Sequence, residues 1–147
     1  MTESGITHGG SSIRVELPPA RTEPLDAERT LWPILPRRER FLAQQVIGGE
    51  PVFAAVRTGT KVDVGSWLLR GRVWIFALAD SLVYVACGGC GLRAHARQIP
   101  YNRLRESQYN HVTGQLALAP VEGLPFRGLQ VDPIEGYQVL AQIYRED

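Results

Sequence analysis

The chain has 147 residues, 44% of them apolar, and sixteen basic against fifteen acidic side chains leave a formal charge of +1. This length suits one domain with an extension. The near-neutral balance excludes a global electrostatic pull towards nucleic acid or an anionic membrane, and no apolar run approaches the ~20 residues of a transmembrane segment.

Residues 1–23 are rich in Gly, Ser, Thr, Pro and charge, and read as a flexible arm in which Ile13–Leu17 alternates weakly. Met1–Gly10 lacks the basic region and apolar core of a secretory signal. Two cysteines are too few for a disulfide scaffold, so a cytoplasmic location is expected.

Residues 24–49 read as an N-terminal helical extension. Pro33 and Pro36 prevent one long helix, yet Leu31, Trp32, Ile34 and Leu35 are too apolar to stand in solvent. A helix is expected over Arg37–Ile47, stopped by Gly48 and Gly49, with Phe41, Leu42, Gln45 and Val46 on its packing side.

Residues 50–147 carry a run of short strands. Val52–Thr58 is the first, and Gly59–Gly71 reads as a longer connection with room for a strand of its own around Trp67, Leu68 and Leu69. The centre of the chain is 72–87, where two apolar arms flank Asp80 and Ser81 as a β-hairpin. Pairing the arms across that break puts Trp74, Phe76, Leu78, Val83 and Val85 on one face. It puts Val73, Ile75, Ala77, Leu82, Tyr84 and Ala86 on the other. Both faces are apolar, so both need cover. One face fills a core. The other is an interaction face, represented by Trp74, Phe76 and Leu78, and is expected to take either the N-terminal extension or a second copy of the chain. Further strands are expected near 95–99, 103–112, 115–119 and 127–131. Asp132, Pro133 and Glu135 then form a capping pattern. A final helix follows, packing through Ile134, Tyr137, Leu140, Ala141 and Tyr144 and leaving Gln138, Gln142, Arg145 and Glu146 to solvent.

A strand run closed by one helix is an α+β, mainly β, pattern. The hairpin, then Ile99–Leu104, then Gly114–Leu118, then the capped C-terminal helix, resembles a bacterial pleckstrin-homology (PH) domain over residues 50–147. The resemblance implies a bent, partly open seven-stranded barrel plugged by that helix. It also implies a non-catalytic binding or assembly role, through protein–protein contact or self-association. Lys61, Arg70 and Arg72 repeat the spacing with which some PH domains hold phosphoinositide headgroups. Arg57 joins them as a candidate site for an anionic lipid or small anion. Here the hairpin turn carries Asp80 and Ser81, where bacterial members often place a basic residue.

Cys87 and Cys90 form a lone CxxC. A redox role needs a helix N-terminus after it, and Pro100 leaves no length for one. A zinc knuckle would recruit His95 and His111 to complete four ligands. An unreactive glycine turn with two thiols satisfies the same residues. Gly89, Gly91 and Ala94 match a nucleotide fingerprint in spacing but lack its helix. No catalytic triad, carboxylate cluster or phosphate loop stands out, so no enzyme activity, cofactor or nucleic-acid partner is expected.

Overall fold

A computed structural model describes residues 17–63, 68–88, 93–126 and 128–145. Residues 1–16 of the arm expected over 1–23, the apolar stretch at Trp67, the Gly89–Gly91 turn and Cys90 lie outside the described residues.

The fold is α+β. Helix α1 (Ala27–Thr30) and a 3₁₀ turn (Trp32–Ile34) lead into helix α2 (Arg37–Ile47). Strands β1 (Ala54–Asp63), β2 (Leu68–Ala77), β3 (Ser81–Gly88) and β4 (Arg93–Pro100) follow. A 3₁₀ turn (Tyr101–Arg103) precedes β5 (Gln108–Asn110), β6 (Gln115–Ala117) and β7 (Leu129–Gln130), and helix α3 (Pro133–Ile143) is the last element of the described chain. The strands form two antiparallel sheets, of order β1-β2-β3-β4 and β5-β6-β7. Among the described residues they do not close into one ladder. Near Gln130 the two sheets approach, and there the Thr58 hydroxyl on β1 donates to the Gln130 carbonyl on β7.

The β2–β3 hairpin turns where Asp80 interrupts the apolar run. The Leu78 N–H donates to the Ser81 carbonyl at 2.8 Å, and Ala77 pairs with Leu82. That register fixes which side chains share a face, because alternation along a strand is strict. Val73, Ile75, Leu82, Tyr84 and Ala86 join an inner cluster with Leu104, Tyr109, Leu116, Leu129, Val139, Leu140 and Ile143. Trp74, Phe76, Leu78, Val83, Val85 and Cys87 join an outer cluster with Leu31, Trp32, Leu35, Ala43 and Ile47. Both faces of the hairpin are covered, and the outer cover is the N-terminal segment.

Helix α3 packs through Leu140 and Ala141, with Tyr137 and Tyr144 half-buried against the inner cluster, as expected, but its buried face extends round to positions that were not. Its buried face is Gly136, Val139, Leu140 and Ile143, at steps of three and four. Ile134, expected in the core, is 73% exposed, and Gln142, expected in solvent, is 1% exposed. Gly136 explains the slip: it has no side chain to mark the buried stripe, and it lies against the Tyr109 ring. The start at Asp132 and Pro133 is as read, but the Asp132 side chain makes no capping hydrogen bond. Fixed φ at Pro133 supplies the entry instead.

Candidate functional site: a carboxylate clasp on the outer sheet face

Helix α2 has a narrow buried row rather than the expected one. Glu39, Ala43 and Ile47, four residues apart, are its buried residues, and Leu35 is buried just before it. Phe41, expected to pack, is 62% exposed, as is Ile34 at 63%; Leu42 and Val46 are half-buried. Four-residue spacing places a single stripe down one side of a helix, and here that stripe contains an acid.

Glu39 is 3% exposed. One carboxylate oxygen accepts from the Arg72 guanidinium at 2.8 Å, and the other accepts from the Trp74 indole N–H. Arg72 and Trp74 are alternate residues of β2, so both present to the same sheet face. The carboxylate also lies in the first turn of α2, where the unpaired N–H groups favour negative charge. Both oxygens therefore have charge-assisted partners. Such pairing is what makes a buried carboxylate tolerable, since an unpaired one costs several kcal/mol. The Arg72 side chain remains 45% exposed, so the clasp sits at the rim of the outer cluster.

The surroundings are aromatic. Trp74 and Phe76 stack at 6.0 Å with their planes 3° apart, and Trp32 from the N-terminal segment meets Phe76 at 5.8 Å. The Arg57 guanidinium stands 5.9 Å from the centre of the Trp74 ring, at cation–π distance. Arg40 turns back to the Leu35 carbonyl at 3.1 Å, fixing the entry to α2.

The expected site residues distribute as follows. Arg57 pairs across the β1–β2 ladder with Trp74, Gly59 with Arg72, and Lys61 with Arg70. Alternation thus puts the four basic positions on one side of the two strands. The side chains of Lys61 and Arg70 lie outside the described part. Arg72 is engaged by Glu39 rather than open to a ligand alone. Trp74, Phe76 and Leu78 form an interaction face within the chain, being 3%, 0% and 0% exposed beneath the N-terminal segment.

Of the cysteine–histidine set, Cys87 and His95 do not share a side. Cys87 pairs with Ala94 and Ala86 with His95, so Cys87 and His95 occupy opposite faces of the sheet. Among the described residues no three potential ligands are grouped. Burial, reinforced by the Glu39 charge and only partly offset by Arg72 and Arg38, pushes the Cys87 thiol up to about 11. At neutral pH it is a protonated thiol inside an apolar cluster, the unreactive kind.

Glu39 is the residue that sequence reading missed. Within Arg37–Arg40 it reads as one charge of a solvated run. Its signal was the four-residue row from Leu35 to Ile47, together with an Arg and a Trp two apart on an otherwise apolar strand. No family model, curated protein or solved structure matches the chain.

Proposed function

We propose that this chain is a non-catalytic, PH-like association module of the cytoplasm whose working surface is the outer face of the β2–β3 hairpin. One observation carries the reading. That face holds a helical segment by an aromatic–aliphatic bed and, at its rim, by two donors shaped to a single carboxylate, Arg72 and Trp74. A face needing only cover would be met by apolar side chains. A buried carboxylate adds little net stability over a hydrophobic replacement but rejects helices that lack it. The arrangement therefore suits recognition of a helix, and protein association is the function it serves. The free, protonated Cys87 thiol fits a reducing compartment.

The test is sedimentation velocity of the full chain from about 10 μM to about 1 mM, the range over which a tethered segment's effective concentration is overtaken. It is paired with titration of a synthetic helix spanning residues 25–47. Concentration-dependent association, or saturable peptide binding weakened by Glu39→Gln in the peptide, supports the reading. A chain that stays monomeric throughout and ignores the peptide refutes it.

A second reading is favoured by the β1–β2 register, which aligns Arg57, Lys61, Arg70 and Arg72 on one side of two strands. Such a row suits an anionic lipid headgroup or small anion. Binding to phosphatidylserine vesicles that weakens with salt and with Arg57→Gln would support it; equal binding to neutral vesicles would oppose it.

A further inference from the structure

The outer face raises a question of identity: whose helix does it hold? Three features bear on it. First, residues 25–47 pack only into the outer cluster, and the inner cluster takes no member from them. Upstream, Leu17 is partly buried against the inner cluster, so lifting the segment withdraws that one side chain and leaves the buried members of the inner core in place. Second, the connection to β1 is Gly48, Gly49, Glu50 and Pro51, all exposed. A side chain built at Gly48 or Gly49 would meet nothing within 4 Å, and Gly48 has φ of +66°. The hydrogen bonds of the link, from the Gly48 N–H to the Gln44 carbonyl at 2.9 Å and from the Glu50 N–H to the Ile47 carbonyl at 3.3 Å, run back into α2. Third, an opened segment leaves Trp74, Phe76, Leu78, Val83 and Val85 bare, a patch that a soluble chain does not keep exposed. The one helix already shown to fit that patch, carboxylate included, is present in every copy of the chain.

We infer that two copies associate by exchanging residues 17–47, so that Glu39 of each is clasped by Arg72 and Trp74 of the other and Leu17 of each packs on the inner cluster of the other. The inference rests on the association reading above and names its partner and its geometry. Exchange keeps each contact of the closed form and changes only the path of the 48–51 link, which is why such dimers form at little cost. The interface is isologous and closes at two copies. In the wild-type chain it competes with closure in the same copy, where the short tether gives an effective concentration on the order of mM. The monomer therefore dominates in dilute solution, and dimer appears on concentration.

Charge reversal separates the two closures. A Glu39→Arg chain brings two cations together at its own clasp, and an Arg72→Glu chain brings two carboxylates together at its own. Neither closes on itself. Exchanged between the two, one clasp is the native Glu39–Arg72–Trp74 arrangement and the other is an inverted ion pair. Mixed in equal amounts, or refolded together from urea if either chain is insoluble alone, they are expected to give a 1:1 heterodimer. It should associate at least about tenfold more tightly than either variant with itself. Analytical ultracentrifugation with differently labelled chains reads this directly. A mixture that sediments as the sum of its parts, or co-refolding that returns no heterodimer, overturns the exchange. A second variant, lacking Gly49 and Glu50 but otherwise wild type, shortens the link; it is expected to be dimeric at about 10 μM, far below the tether's effective concentration. Its persistence as a monomer with residues 25–47 docked also overturns the proposal. If the wild-type chain associates or binds the helical peptide while both tests fail, the association reading stands and the exchange falls. If the wild-type chain neither associates nor binds the peptide, both fall.

Discussion

Replacing Gly136 by alanine sets two effects of similar size against each other. Gly136 lies inside α3 and is buried. Ala in a helix interior is favoured over Gly by about 1 kcal/mol, so an uncrowded site would be stabilised. Here the added Cβ would lie 2.5, 2.7 and 3.0 Å from three atoms of the Tyr109 ring. Tyr109 cannot easily give way. It is fully buried, its hydroxyl donates to the Val131 carbonyl at 2.9 Å, and its ring meets Tyr137 edge-on at 5.0 Å. Overpacking of a rigid core costs about 1–3 kcal/mol, and contacts this short belong at or beyond the upper end. The net expectation is destabilisation by about 1–2 kcal/mol, a fall in Tm of roughly 2–8 °C for a chain of this length. Urea unfolding of Gly136→Ala against wild type measures it, and adding Tyr109→Leu should recover part of the loss by removing the ring. A stabilised Gly136→Ala chain would refute the reasoning, because helix propensity alone would then decide the site.

Other outcomes follow from the same packing. A chain ending at Val131 loses Val139, Leu140 and Ile143 from the inner cluster, each worth about 1.5–3 kcal/mol, and should no longer melt cooperatively near the intact temperature in calorimetry. Tyr109→Phe leaves the Val131 carbonyl without its 2.9 Å donor and should cost about 0.5–1.5 kcal/mol in urea unfolding. Cys87 gives a pH dependence. Its thiol rises from 9.0 to about 11 on folding, so the folded chain holds the proton more tightly than the unfolded one. The resulting stability is fully present below pH 9 and is lost as pH rises towards 11. Wild type should therefore lose more stability than Cys87→Ser across that interval, and parallel curves would show that the thiol does not feel its burial.

Much of this architecture is legible in the chain because two local signals agree. The polar break at Asp80 pins the hairpin, and strict alternation then assigns its side chains to two faces. The faces observed are the faces expected, down to Trp74 with Val85 and Ile75 with Tyr84. The helices were harder, because a helical stripe can slide by one residue with little change in apolar content. A glycine at 136 and a glutamate at 39 occupy buried positions where a pattern reader looks for an aliphatic side chain. Ile134 and Phe41 supply apolar character on the exposed side and draw the reading away from the true phase. The clasp itself was not legible. It depends on the pairing of α2 with β2, thirty-three residues apart, and charge density around Glu39 hides it.

The central claim is that Glu39 and Arg72 form one clasp holding the N-terminal segment to the sheet. A double-mutant cycle of Glu39→Ala, Arg72→Ala and the double variant, measured by urea unfolding, tests it most directly. With the carboxylate 3% exposed and the contact at 2.8 Å, the account predicts a coupling of about 2 kcal/mol, Arg72→Ala leaving the buried carboxylate without its cation and the double variant costing less than the sum of the singles. Losses that add within about 0.5 kcal/mol would contradict it, since independent side chains on a solvated rim behave that way.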